Sequence, residues 1–343
     1  MANQPTRPKV SVLLPACNEE HFLEQAVESI LLQTEPDFEV IVVDDGSTDG
    51  SRALLERLAA GDRRVKPIHQ PHAGIVGALN RGMREASGRY VARMDADDLA
   101  HPRRLELQAE YLDLHPRIGL VGSRVEYLGD ADLNRGLAVF VEWSNSLVEP
   151  SDIELYRFVE TPFVHPSVMF RRELTGRLGT YKDGPFPEDY ELWLRWFEGG
   201  VRMAKLEETL LSWRERPERL TRTDSRYSVQ AFYRTKAPYI HRWLEKHNPH
   251  HPNVIVWGSG RTSRQRLKFL TDLGVRVEAY IDIDPRKIGY TIEGARVMTP
   301  DDLPARGTCF VLQWVASRGA RAEIEAELAS RGFQIGRDYL PCA

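Results

Sequence analysis

Apolar residues fall along the chain in short solid runs separated by stretches where they recur every three or four positions, an alternation that predicts strands and helices in turn. Val10–Leu14 is a β-branched and leucine run ended by Pro15, and Leu23, Ala26, Val27, Ile30 and Leu31 follow at helical spacing. Glu39–Asp45 predicts a second buried strand, and the turn Gly46–Gly50 leads into a helix around Leu54, Leu55 and Leu58. Val65–His69 and Tyr90–Met94 read as further strands, with a helix near Ile75–Ala86 between them. The first half therefore has the β-α-β-α rhythm of a mostly parallel sheet, which binds ligands in the loops at the carboxyl ends of its strands.

Between about Gly119 and Arg214 the pattern predicts short strands, one clear helix and several proline breaks, as where such a core acquires an acceptor-side subdomain. A helix over Ser225–Lys246 follows, and the polar, proline-broken segment His247–Asn253 marks a domain boundary. No carboxylate or cysteine pattern accompanies its histidines His247, His250 and His251, so the segment reads as a solvated linker rather than a metal site. Val254–Trp257, the turn Gly258-Ser259-Gly260, the apolar positions Leu267, Leu270 and Leu273, and Val275–Asp282 then form a β-α-β unit. Only part of the dinucleotide glycine fingerprint is present, which leaves a packing or dimerisation module as open as a ligand-binding one.

With 343 residues and 42% apolar content the chain is long enough for two domains. A formal net charge of -4 excludes a general nucleic-acid binder. Cys17, Cys309 and Cys342 are odd in number and lack Cys-x-x-Cys spacing, which fits reduced thiols and a cytoplasmic location. The polar start, Met1–Lys9, has no apolar signal core, and no later stretch approaches the roughly 18 apolar residues of a membrane span. A soluble protein is expected, compatible with peripheral membrane contact and with a homodimer.

The strongest chemical signal is Arg93-Met94-Asp95-Ala96-Asp97-Asp98, directly after a predicted strand. Clustered carboxylates repel one another unless a cation joins them, and hard ions such as Mn²⁺ or Mg²⁺ prefer oxygen ligands. A departing diphosphate needs such an ion for the charge it acquires. The plainer alternative is an acidic turn in which Asp98 caps the helix near Pro102. Pro15-Ala16-Cys17-Asn18-Glu19-Glu20 and Asp44-Asp45-Gly46-Ser47-Thr48-Asp49 follow the first two strands, so three polar loops converge on one sheet edge. Asp49 itself reads as a helix cap.

Taken together, Val10–Glu19, Ile41–Asp49, Gly74–Gly82, Tyr90–Asp98 and Pro187–Trp193 resemble, in order and over residues 8–220, the family-2 glycosyltransferases of the GT-A fold. The resemblance implies an α/β chain with a GT-A catalytic domain over residues 1–246, a linker at 247–252 and a smaller Rossmann-like accessory domain over 253–343. It further implies an inverting, metal-dependent hexosyltransferase that moves a sugar from a nucleotide diphosphate donor, UDP-sugar favoured, to a hydroxyl of a glycan, lipid-linked or small-molecule acceptor in surface-glycan or polysaccharide biosynthesis. Pro15, Ala16, Asn18, Glu19, Asp44, Asp45, Gly74, Asn80, Arg93, Asp95 and Ala96 would then line the donor pocket, with Asp45 facing the base. Asp97, with Asp95, would hold Mn²⁺ or Mg²⁺, and Asp98 would support the loop. Cys17 departs from the aromatic residue that many relatives carry there, which leaves the base identity open.

The same resemblance makes Asp189 the base that takes the acceptor proton, with Glu188 beside it, although both also fit a capping pair at a helix N-terminus. By analogy alone, His165 would meet acceptor or phosphate. In the basic loop Trp213–Arg222, Arg214 and Arg219 are the candidates for neutralising diphosphate charge. Two rivals are a sugar nucleotidyltransferase and a non-catalytic nucleotide sensor acting through the second domain. Against the first stands the acidic character of Pro15–Glu20, where a triphosphate loop would be basic; against the second, a sensor has no need of a base.

Overall fold

The computed structural model describes residues 7–317 and 319–343. In chain order the larger part runs β1 (Val10–Ala16), α1 (Leu23–Leu31), β2 (Phe38–Asp45), α2 (Ser51–Gly61), β3 (Val65–Gln70), α3 (Gly74–Glu85), β4 (Tyr90–Arg93), β5 (Leu99–Ala100), α4 (Arg104–Leu114), β6 (Ile118–Leu128), α5 (Arg135–Ser146), α6 (Pro150–Tyr156), β7 (Met169–Arg171), α7 (Glu173–Leu178), α8 (Glu188–Glu198), β8 (Arg202–Arg214) and α9 (Leu220–Thr223). Then come α10 (Val229–His247), β9 (Asn253–Trp257), α11 (Arg261–Thr271), β10 (Arg276–Ile281), β11 (Thr291–Ile292), β12 (Ala295–Met298), β13 (Val311–Gln313), α12 (Ala320–Ser330) and β14 (Tyr339–Pro341).

Among the described residues the first sheet has the order β3-β2-β1-β4-β7-β6-β8-β5. Strands β3, β2, β1 and β4 are parallel, β7 runs antiparallel to β4 and β6, and β8 runs parallel to β6. Every residue of β1 and β2 is buried, because helices cover both faces, and that is why these strands read as solid apolar runs. On α3, Gly82 permits the close approach: a Cβ there would stand 2.0 Å from Leu13 Cδ1. β1 continues to Ala16 rather than stopping at Pro15; pairing with β4 ends at Leu13↔Arg93, so the proline comes after the strand has lost that neighbour.

Residues 119–214 depart from the expected short strands and single helix. β6 and β8 are 11 and 13 residues long and pair with each other through register shifts, and four helices, α5 to α8, intervene. The bulged register interrupts strict alternation, which hides long strands from a reading of period two.

The chain divides into two compact units, the second comprising Leu155–Thr161, Pro185–Tyr190 and Asp224–Ala343. The expected boundary at 247–252 therefore falls inside the second unit. α10 belongs there because it packs on α11, Tyr233 stacks near Trp314 at 5.6 Å, and the buried Lys236 amine donates to the carbonyls of Phe158, Val159 and Cys342. The second sheet has the order β11-β12-β10-β9-β13-β14, parallel except for β11, a Rossmann-like arrangement. No helix among the described residues is long and apolar enough to cross a membrane. All three cysteines are free thiols.

Candidate functional site

The loops after β1 and β2 are tied to each other. Asn18 has a positive φ of 57°; its N–H donates to Ser47 Oγ at 2.9 Å and its Oδ1 accepts the Thr48 N–H at 2.8 Å. Asp49 accepts the Ser51 N–H at 3.0 Å at the start of α2, from the position before the N-cap residue Gly50. Asp44 accepts from the Ser47 N–H and pairs with His69 Nδ1 at 2.9 Å; burial raises its pKa, but these hydrogen bonds outweigh burial and hold it below the usual carboxylate range. Gly46, at φ +74°, is required by both its conformation and its surroundings, since a Cβ would stand 2.7 Å from the His72 nitrogen.

Asp45 is heavily engaged within the protein. Its carboxylate accepts from Gln70 Nε2 at 2.6 Å, Ala73 N–H at 2.8 Å and Gly74 N–H at 2.9 Å, and pairs with His72. It thus satisfies amides that the first turn of α3 leaves open. Pro15, Ala16 and Ala96 are buried at these strand ends. Asn80 and His165 both meet Tyr181, Asn80 through its Nδ2 to the carbonyl at 2.8 Å, His165 through Nε2 to the hydroxyl at 2.8 Å. Burial, then the charge of Arg93, drives the His165 imidazole well below its ordinary pKa, so it is neutral.

After β4 the acidic loop brings carboxylate oxygens of Asp95, Asp97 and Asp98 within 4.8 Å of one another. Glu19 joins them through Arg216, whose guanidinium reaches Glu19 Oε1 at 2.6 Å and Asp97 Oδ2 at 2.8 Å. Burial, together with the charges of Asp97 and Asp95 and against the pull of Arg216, pushes Glu19 up to about 7. Burial and the charge of Asp95 raise Asp97 as well, and the fully buried Asp98 is raised well above its ordinary value by burial and by both neighbours. Glu19 Oε2 and Asp98 Oδ2 are buried with no hydrogen-bond partner. Oxygen donors held close, two of them orphaned, fit a hard divalent cation.

The basic loop after β8 closes over this cluster. Arg214 donates its N–H to Asp98 Oδ1 and its Nε to the Asp97 carbonyl, both at 2.8 Å. Arg219 donates to the Arg214 carbonyl, lies 3.7 Å from Asp95 Oδ2 and stacks over Trp213. Arg93 ion-pairs with Asp95 from below. Two arginines went unnamed in the sequence. Arg216 sits in the basic loop that the sequence does single out, but nothing distinguishes it there from its neighbours. Arg104, fully buried, donates to the Arg93 carbonyl at 2.6 Å and is pushed down to about 9 by burial, with Asp98 pulling the other way; beside the exposed Arg103 it carries no signal of burial.

Glu188 and Asp189 open α8 within the second unit. Glu188 is buried and accepts the Tyr227 hydroxyl at 2.7 Å; burial and then the charges of Glu188 and Asp189 raise that phenol far above its ordinary pKa. Asp189 Oδ1 accepts the adjacent Tyr190 N–H at 2.7 Å, and the residue is only partly buried.

Solved structures share this fold, two of them bound to nucleotide sugars. S. aureus TarS 1-349 in complex with UDP-GlcNAc matches with TM-score 0.55 at 18% identity, covering 77% of this chain and 71% of that one. The mannosyltransferase PcManGT from Pyrobaculum calidifontis, in complex with GDP-Man and Mn²⁺, matches with TM-score 0.51 at 24% identity, covering 71% and 64%. Among sequences, EpsE of Bacillus subtilis (strain 168), which carries the designation glycosyltransferase, is 35% identical over 246 residues, 67% of this chain and 84% of EpsE. The amylovoran biosynthesis glycosyltransferase AmsE of Erwinia amylovora is 33% identical over 207 residues, 59% of this chain and 74% of AmsE. The family model described as glycosyl transferase family 2 matches residues 11–179, the stretch that carries all three strand-end loops. With a GT-A fold, those loops in place and this extent of shared sequence, the chain belongs to the family-2 glycosyltransferases.

Proposed function

We propose that this glycosyltransferase is inverting and cation-dependent, that the strand-end loops of its first unit bind the donor and the cation, and that Asp189, at the start of α8, is the catalytic base. The observation that carries the reading is the acidic cluster, in which Asp95, Asp97 and Asp98 converge with orphaned buried oxygens beside them. Asp97, with Asp95, is the ligand set proposed for Mn²⁺ or Mg²⁺. When bound, such an ion supplies Lewis-acid stabilisation of the charge that grows on the departing diphosphate. Asp189 accepts the proton of the acceptor hydroxyl while that oxygen forms the new bond to the anomeric carbon, and the electrons of the broken bond leave with the nucleotide diphosphate. Arg214, Arg219 and Arg93 are the guanidinium groups proposed to face the phosphates, and the loops around Asn18, Asp44 and Asp45 to hold the nucleoside. TarS is described in complex with UDP-GlcNAc and PcManGT with GDP-Man; the TarS complex, with the higher TM-score, supports a uridine donor as the version to test first. AmsE is named for amylovoran biosynthesis, which supports a polysaccharide acceptor.

Calorimetric titration of the full chain with UDP, GDP, dTDP and CDP, with Mn²⁺ and again with chelator, tests the donor half. One nucleotide is expected to bind, in a cation-dependent way that Asp97→Ala removes. Asp189→Asn is expected to keep that binding and to lower transfer by about 10²- to 10⁴-fold. Near-wild-type transfer by Asp189→Asn would sink the assignment of the base. Binding that ignores both chelator and Asp97→Ala would move the proposal to a nucleotide sensor.

A further inference from the structure

The second unit contains a cluster that shares no residue with the groups proposed for sugar transfer. His241 and Glu245 stand one turn apart on α10, so their side chains share a face. The chain leaves that helix at Asn248, whose Oδ1 accepts the His250 N–H at 2.8 Å and whose Nδ2 donates to the Asn253 carbonyl at 3.0 Å. This clamped turn sends His251 back onto the helix. Its ring meets that of His241 edge to face, with centroids 5.4 Å apart, and His241 Nδ1 lies 3.7 Å from Glu245 Oε2. Ligand atoms of all three residues lie within 4.8 Å of one another. His251 Nδ1 is buried with no hydrogen-bond partner in the protein.

The other two histidines of the segment are committed elsewhere. His247 stacks on Trp243 and bonds its carbonyl at 2.8 Å, and His250 Nε2 meets the Gly307 carbonyl at 3.1 Å. The linker reading of this segment lacked a carboxylate partner for its histidines. Glu245 supplies it, from a helix whose periodicity concealed the pairing.

We infer that His241, Glu245 and His251 form a binding site for a divalent transition metal, Zn²⁺ by preference, that clasps the C-terminal end of α10 to the turn before β9. Two imidazoles, borderline donors, beside one carboxylate suit Zn²⁺ better than Mg²⁺, with water completing the tetrahedron. Tetrahedral bonds of the usual length set ligand atoms about 3.4 Å apart, a closure that side-chain rotation provides. Glu245 is half exposed, which leaves the ion a path in. The site rests on none of the residues proposed for transfer.

The test uses the untagged full chain, stripped with chelator and held in excess Mg²⁺ to fill oxygen-ligand sites. Zn²⁺ is titrated by calorimetry, and Co²⁺ is added as a reporter whose visible absorption marks tetrahedral imidazole coordination. One equivalent is expected to bind, unchanged by Asp97→Ala and by His247→Ala, weakened at least about 10-fold by Glu245→Gln and abolished by His251→Ala. Should His251→Ala fail to fold, Glu245→Gln and His241→Gln on the helix surface decide the matter. Zn²⁺ affinity that Glu245→Gln and His241→Gln leave intact, or that Asp97→Ala alone removes, overturns the site.

Discussion

Arg216 stands between two carboxylates far from it in sequence, Glu19 at 197 positions and Asp97 at 119, and both are raised above their ordinary pKa despite it. Removing the guanidinium would leave two buried oxygens facing each other without compensation. Arg216→Ala is therefore expected to lower stability in chelator by about 1–3 kcal/mol, read as a shift of the urea midpoint. Added Mn²⁺ should recover more of that loss than it adds to the unmodified protein, because the cation takes over the neutralising role. An identical Mn²⁺ response in both proteins would separate Arg216 from the cation site. Asp95, Asp97 and Asp98 were legible because they are contiguous and follow a strand. Arg216 was not, because Arg214, Arg216, Arg219 and Arg222 offer the same chemistry in one loop and only the path of the backbone after β8 selects which of them points between Glu19 and Asp97.

For the elements, the approach of α3 to the centre of the first sheet depends on a missing side chain. A Cβ at Gly82 would collide with Leu13 Cδ1 on β1 and press on Val43 of β2 at 3.2 Å. Gly82→Ala should cost about 1–3 kcal/mol through overpacking, and Leu13→Ala about 2–5 kcal/mol through the cavity it leaves. In the double variant the added methyl falls into that cavity, so denaturant titrations should give a combined loss well below the sum. Additive losses would show that α3 does not pack as described. The same helix explains the state of Asp45. Its carboxylate accepts the Ala73 and Gly74 amides at the start of α3, so a donor base reading Asp45 would share a group that already holds an element in place. Sequence spacing put Asp45 at a strand end correctly. It could not show that the next helix begins against that carboxylate, because the chain over a separation of 28 positions carries no periodic trace of the return.

Over the molecule as a whole, pH should act on the first unit through Lys205. Burial, and to a lesser degree the charge of Arg124, lowers its pKa from 10.5 to about 7, although its amine donates to the carbonyls of Ser144 and Pro162 and to Ser144 Oγ. Between these two values the unfolded chain holds a proton that the folded chain has released. Unfolding then takes up a proton, and stability rises with pH across that window. Urea midpoints measured at several points from neutral to mildly alkaline pH should climb in the unmodified protein and climb less in Lys205→Met. Parallel slopes would place the titration elsewhere.

Strand and helix order through the first half, the convergence of three polar loops on one sheet edge and the acidic spacing at Asp95–Asp98 were determined by the sequence, since each rests on local periodicity or on neighbouring residues. Tertiary structure decided the rest. The long bulged pairing of β6 with β8, the assignment of α10 to the second unit, the pairing of Arg216 with Glu19 and Asp97, and the meeting of His251 with His241 and Glu245 all depend on contacts made only once the chain has returned on itself. Local propensity sets which elements form. Which charged groups meet follows from packing and burial, where solvent is excluded and the few available partners must satisfy one another.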